Sequence, residues 1–371
     1  MIALIVPWSL MTSTHAVTRV EPGIVHSCTA ASARGLASVK TMIPYTPPQS
    51  VSALPIVDLS LLDESRDARL TLAAQIRDAC RNIGFFYVRN HGVPRAVFDT
   101  QYALARELFD LPLDVKMEIA QSRSAAKRGY EPAATQRLDD GSPPDLKESF
   151  RYGPEPARDH PLYGRGLPTY GPNQWPRGKP EMATSMGRYA DAMVSLGLRV
   201  MRAIALSLEL RDDFFEPYYA DPMTTVRLLK YPPHPDHALM NQIGAGAHTD
   251  WGGITILAQD EVGGLEVRNV DGVWIQAPPL PDTLIVNIGD LLAMWTGNRY
   301  RSTLHRVKTS AARTDRYSIA FFFDPRYDAI IERVPSCRGE DVAPDACTAG
   351  AYIAERHRAT AVEVEVEKEK G

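Results

Sequence analysis

The sequence predicts a jelly-roll-like β core with helices packed outside it. Three observations carry this reading. Helical periodicity is confined to the part before Tyr219, short β-rich runs crowd the part after it, and clusters of Gly, Pro, Asn or Asp separate most of those runs. Many short strands at close spacing argue for an antiparallel sandwich or barrel. At 371 residues the chain is long enough to bury a substantial core. We divide it into a disordered leader over 1–50, an α-rich N-terminal region with short strands over 51–220, the β core over 221–335, and a C-terminal segment over 336–371.

The elements follow in order. Residues 1–50 carry little periodicity and many Ser, Thr, Ala and Pro. Their apolar start has no Lys or Arg before Arg19, so the charged region of a signal peptide is missing. Met42 lies just before the ordered pattern and is a candidate internal start. A short strand is expected over 54–59. A helix over 66–81 follows, with Leu72, Ala73, Ile76 and Cys80 on one side. Residues 84–90 read as a strand, and 91–94 as a turn into a helix carrying Phe98, Leu104 and Leu108. The Pro- and Gly-rich stretch over 153–180 reads as a long loop. The strongest helix spans 182–210, where Met193, Leu196, Val200, Ile204 and Leu208 form one apolar stripe. Strands are then expected over 225–231, 253–259, 265–270, 273–277, 283–288, 301–307 and 316–323. Asp271-Gly272 gives a hairpin signal between two of them. The alternating tail over 362–370 reads as a frayed end or an edge strand.

Composition excludes several function classes. The formal net charge is −4 and the estimated pI 6.2, far from the basic footprint of a nucleic-acid binder. No apolar run approaches the roughly 20 residues of a membrane span. Cys28, Cys80, Cys337 and Cys347 are scattered without a CxxC pair. Cys337 and Cys347 are near enough in sequence to form one disulfide, but isolated thiols in a reducing cytosol fit a chain of this length better. The expectation is a cytoplasmic monomer acting on a small molecule.

The chemistry concentrates at His248-Thr-Asp250. In extended chain, residues i and i+2 point to one face, so an imidazole and a carboxylate converge. Two His and one carboxylate with open positions form the ligand set of non-haem iron(II) oxygenases. His15 and His26 lie in the leader, His160 in the long loop, His91 in a turn, His234 and His237 in a Pro-rich loop, and His357 near the tail. His305 alone lies centrally in a later β-like run. Taken by itself the HxD tripeptide is common, and a histidine in a strand is usually a hydrogen-bonded core residue. Arg316 and Ser318 form a second same-face pair, on a strand with apolar neighbours. A bound dicarboxylate would partner the guanidinium in a bidentate contact. The alternative is an ordinary ion pair with a protein carboxylate.

The segment from Arg227 to Pro325 resembles the isopenicillin N synthase-like family of iron(II)/2-oxoglutarate-dependent oxygenases. The matching pieces are 227–233 (RLLKYPP), 244–252 (GAGAHTDWG), 259–265, 286–290 (VNIGD), 302–307 (STLHRV) and 316–318 (RYS), with 57 positions between His248 and His305. Residues 56–58, 84–94, 145–148 and 173–176 resemble the family's N-terminal region, so the likeness runs from about Leu54 to Asp328. The ordered set is far more specific than any one motif. The resemblance implies a double-stranded β-helix with iron held by His248, Asp250 and His305. It implies 2-oxoglutarate as co-substrate, its far carboxylate on Arg316 and Ser318 with a hydroxyl from Tyr231. O2 is the oxidant and ascorbate a candidate reductant. Many plant members carry Asn where this chain has Leu229, so the metal-side carboxylate needs another partner. Trp251, which follows a metal ligand, is a pocket candidate or a packing residue; Asn287 and Phe323 are further pocket candidates. Oxidation of a small molecule, by hydroxylation, desaturation or cyclisation, is the leading expectation. Ethylene formation, a 2-oxoglutarate-independent oxidase and a silent ligand binder are the alternatives.

Overall fold

A computed structural model describes residues 47–135, 143–234, 242–308, 314–338 and 346–359. The leader up to residue 46, with His15, His26 and Cys28, lies outside the described residues, as do His237 and the tail over 362–370. The N-terminal part holds β1 (Ile56–Asp58), α1 (Arg66–Asn82), β2 (Phe85–Arg89), α2 (Arg95–Phe109), α3 (Leu113–Glu118), β3 (Gly129–Glu131), β4 (Glu148–Tyr152) and α4 (Pro180–Ser207). Then come β5 (Met223–Tyr231), β6 (Ala245–His248), β7 (Ile254–Gln259), β8 (Leu265–Arg268), β9 (Trp274–Gln276) and β10 (Thr283–Ile288). The chain continues through α5 (Asp290–Trp295), β11 (His305–Val307), β12 (Arg316–Asp324), β13 (Ile330–Ile331), β14 (Cys347–Thr348) and α6 (Ala349–Ala359).

Two sheets face each other. The larger has the order β1-β2-β10-β7-β12-β5-β4-β3, and the smaller β6-β11-β8-β9. Within the larger sheet, alternation divides the side chains cleanly. Val226, Leu228, Ile254, Ile256, Val286, Ile319 and Phe321 join the helices in one core, whereas Phe85, Leu229, Tyr231, Ile285 and Ala320 face the smaller sheet in a second. The helices form where the periodicity places them. Ser65 caps α1 by accepting from Ala68 N at 3.3 Å, and Leu72, Ala73, Ile76 and Cys80 are buried. In α4 the stripe from Met193 to Ile204 is buried, and the turn ends at Glu209 with φ 58°.

The differences from expectation are local. Only His305–Val307 of the strand expected over 301–307 joins a ladder; Arg301 N instead donates to Cys80 O at 3.0 Å. The elements β3, β4, β6, α3, α5 and α6 carry too little periodicity to be read from sequence. Cys80 and Cys337 are free thiols, and both are buried, as is Cys347. Among the described residues no helix is long and apolar enough to cross a membrane.

Phe323 departs from the pocket role expected of it. It is one residue out of step with Arg316 and Ser318, so it points to the helix side of β12, fully buried. There its ring stacks on Tyr219 at 4.5 Å, and a Cβ on Gly197 of α4 would come within 2.7 Å of it. Phe322 faces the cavity instead. Phe323→Ala should therefore lower stability by about 3–5 kcal/mol in urea unfolding while leaving metal affinity unchanged. Weakened metal binding with normal stability would place the ring in the pocket after all.

Candidate metal centre and co-substrate pocket

The site is assembled between the two sheets. β6 and β11 run antiparallel with His305 opposite His248, which brings the imidazoles to a centroid distance of 4.3 Å. Asp250 lies just beyond the end of β6. Its Oδ1 is 3.9 Å from His248 Nε2 and 3.8 Å from His305 Nε2. One ligand atom from each of the three lies within 4.8 Å of the others.

Neighbouring groups orient all three. His248 Nδ1 meets Gly246 O at 2.8 Å and His305 Nδ1 meets Thr303 O at 3.1 Å, so each Nδ1–H is donated to a carbonyl and each Nε2 lone pair faces inward. Asp250 Oδ2 accepts from Thr255 Oγ1 at 2.5 Å and Asn287 Nδ2 at 2.7 Å, which leaves Oδ1 for a ligand. Burial and the adjacent His305 push His248 well below the usual histidine range. Burial works to raise Asp250, but the two imidazoles and the two donors outweigh it and hold the carboxyl low. The result is two imidazole nitrogens and an ionised oxygen facing one point, the donor set a divalent iron accepts. The site fits the metal.

Arg316 lies deeper, 2% exposed. Nη1 donates to Ser318 Oγ at 3.3 Å and Nη2 to Gln259 Oε1 at 3.1 Å, and the guanidinium lies 4.8 Å from the Tyr231 ring centroid. Its Nε has no partner among the described residues. Among the described residues no carboxylate comes within ion-pair distance of it, so a buried cation lacks its counter-ion. A cavity of 70 Å³ runs between this group and the triad, lined also by Leu229 and Lys147. A second cavity, of 130 Å³, shares His248 and Asp250 and is lined by Trp251 and by Ile353 and His357 of α6. A wider groove of 1020 Å³ is lined by none of the three ligands.

Every residue expected at the site except Phe323 comes together here. Asn287 lines the smaller cavity and also bonds to a ligand carboxylate. Trp251 lines the larger one, packed edge-on to His357 at 5.0 Å with Arg356 over its ring. Tyr231 contributes its ring beneath Arg316. Thr255, Gln259 and Lys147 were not anticipated. Parity on β7 could have revealed the first two, and Lys147 lies inside the Asp145–Glu148 motif. Lys147 is ion-paired with Asp145, whose Oδ1 accepts from Gly246 N at 2.9 Å. Burial lowers the lysine to about 8, against the pull of Asp145.

Comparison with known proteins agrees with this geometry. Residues 54–178 match the N-terminal region described as non-haem dioxygenase in morphine synthesis, and residues 220–325 match the 2OG-Fe(II) oxygenase superfamily. A 2-oxoglutarate-Fe(II) type oxidoreductase of Emericella nidulans is 38% identical over 294 residues, 77% of this chain and 83% of that protein. The chain belongs to the 2OG-Fe(II) oxygenase superfamily. It is an iron(II)- and 2-oxoglutarate-dependent oxygenase with the double-stranded β-helix architecture. This oxygenase is also similar to homoarginine-6-hydroxylase of Glycine max, 36% identical over 76% of this chain and 88% of that one. Among solved structures, a full-length Neurospora crassa protein in complex with alpha-KG superposes with a TM-score of 0.75 at 29% identity, covering 86% of this chain and all of that one.

Two outcomes follow. Thr255→Val or Asn287→Ala should weaken metal binding roughly 10–100-fold in titrations with iron(II), because Asp250 loses an orienting donor; unchanged affinity would show the carboxylate needs neither. The second concerns pH. His248 and His357 are both held below the value of 6.5 they regain on unfolding, His357 at about 3 chiefly through burial. Below that value the unfolded chain binds more protons than the folded one, so stability is complete above it and is lost as pH falls. The urea midpoint of metal-free protein should drop between about pH 7 and 5, and His357→Phe should make the drop shallower. A pH-independent midpoint over that window would refute the neutral imidazoles.

Proposed function

We propose that His248, Asp250 and His305 hold iron(II), that Arg316 and Ser318 bind the far carboxylate of 2-oxoglutarate, and that the enzyme oxidises a C–H bond of a small molecule. One observation carries the assignment: the buried Arg316 lacks a protein carboxylate among the described residues, at one end of a narrow cavity whose other end is the triad. When bound, the metal with O2 couples decarboxylation of 2-oxoglutarate to succinate and CO2 with oxidation of the substrate.

The protein's own residues prepare for this. The Gly246 and Thr303 carbonyls fix which imidazole nitrogens face the metal, and Thr255 with Asn287 hold the Asp250 carboxylate in one rotamer. Arg316, braced by Gln259 and the Tyr231 ring, offers a planar fork to a carboxylate. Lys147 supports the metal-side carboxylate where Leu229 offers no polar group, with Asp145 tethering it. Phe85 packs edge-on to His305 at 5.2 Å and keeps water from that ligand. Trp251 walls the 130 Å³ cavity, the place for the substrate. At 130 Å³ it lies below the roughly 300–1,000 Å³ of a drug-sized ligand's pocket, so the ligand it takes is small.

Arg316→Lys should raise the 2-oxoglutarate concentration needed for half-maximal succinate formation by about tenfold or more, because a lysine makes no bidentate contact. Iron affinity should be unaffected. An unchanged 2-oxoglutarate dependence would remove Arg316 from the co-substrate site.

A further inference from the structure

We propose that the 130 Å³ cavity binds its substrate through a carboxylate set against Arg151 and Arg227. The proposal rests on the metal and co-substrate assignment above, which makes this cavity the place where a C–H bond meets the metal.

Arg151 on β4 and Arg227 on β5 are register partners, and both line the cavity. Like charges directly opposite on one face of a sheet repel. Among the described residues Glu131 serves both: it accepts from Arg227 Nη2 at 2.5 Å and lies 3.8 Å from Arg151 Nη2. Glu131 also accepts from Ser149 Oγ. With its amide oxygen turned inward, Gln121 takes Arg151 Nε and Nη1 at 3.2 Å, a neutral partner that leaves the charge uncompensated. Lys127 adds a third cation at the exposed edge of the same cavity.

Charge accounting across both cavities leads to the same end. Arg316, Lys147, Arg227 and Arg151 face Asp145, Glu131 and Asp250. A divalent metal and a dicarboxylate co-substrate offset one another, so among the described residues the cation left without a close carboxylate is Arg151, since Glu131 is held by Arg227 and stands 3.8 Å from it. Asp324, the other carboxyl on this cavity, is not close to that end. It pairs in register with Met223, whereas Arg227 faces Ala320, and its Oδ1 accepts from Gly253 N at 3.0 Å. The field is felt by His357: after burial, its downward shift comes from Arg151, Lys127 and Arg227. Apolar walls from Trp251, Phe322 and Ile353 suit the hydrocarbon part of the ligand. A partly desolvated arginine pair rewards an anion and rejects the neutral analogue that leaves it uncompensated.

The test uses protein loaded with manganese(II) and saturating 2-oxoglutarate, followed by thermal melting. The ligands are a panel of small aliphatic and aromatic monocarboxylates and their matching carboxamides. We expect stabilisation by a subset of the acids, with the corresponding amides about tenfold or more weaker. Arg151→Gln should weaken the active acids by a similar factor, Arg151→Lys should restore part of the loss, and Glu131→Gln should tighten them. Amides that bind as well as acids, or an Arg151→Gln protein with unchanged acid affinity, would overturn the proposal. Should Arg151→Gln fail to fold, the acid–amide comparison on the unaltered protein decides alone. If manganese(II) and 2-oxoglutarate give no stabilisation themselves, the metal-site reading fails and this one with it. If they stabilise but no acid does, only the carboxylate proposal fails.

Discussion

The antiparallel pairing of His305 with His248 is the constraint on which the rest of the site depends. A strand's side chains alternate with period two, so a slip of one residue between β6 and β11 would turn one imidazole out of the cavity. The register also shifts between His305 and Val307, which faces Ala245; irregularities of this kind are common beside active sites, where they re-aim a side chain. Asp250 stands just past the strand end, free of the ladder, and takes its position from Thr255 on β7 and Asn287 on β10. The triad thus ties the small sheet to the large one, and its geometry is inherited from both.

Burial of charge is the second organising theme. Several buried cations line the cavities, two of them, Arg151 and Arg227, in register on the large sheet, and the protein neutralises them unequally. Lys147 has Asp145, Arg227 has Glu131, and Arg316 has only neutral oxygens and an aromatic ring among the described residues. Leaving a guanidinium without a carboxylate in such a place costs stability, and a binding site is the setting in which that cost is recovered when an anionic ligand arrives. The neutral imidazole of His248 follows the same logic, held uncharged by burial and ready for a metal.

Much of this was legible in the sequence because the informative residues obey a short period. His248 and Asp250, and Arg316 and Ser318, are each two apart on extended chain, and the order of the glycine-bounded strands carried the fold. The same rule applied one step further would have excluded Phe323, which is out of phase with Arg316, and selected Phe322. What the sequence concealed is non-local. Arg151, and Lys147 just ahead of its strand, matter because β4 pairs with β5, whose partner residues lie far along the chain, and nothing near Glu148 announces that pairing. α6 was equally hidden: its short apolar face becomes meaningful only where Ile353 and His357 close over Trp251.

One metal held by His248, Asp250 and His305 next to a bound 2-oxoglutarate has a direct signature in an anaerobic titration of the metal-free protein. Iron(II) is added first and 2-oxoglutarate second, and the visible absorption is followed. A weak charge-transfer band should appear only when both are present. Iron that fails to bind, or binds without such a band at saturating 2-oxoglutarate, would contradict that arrangement.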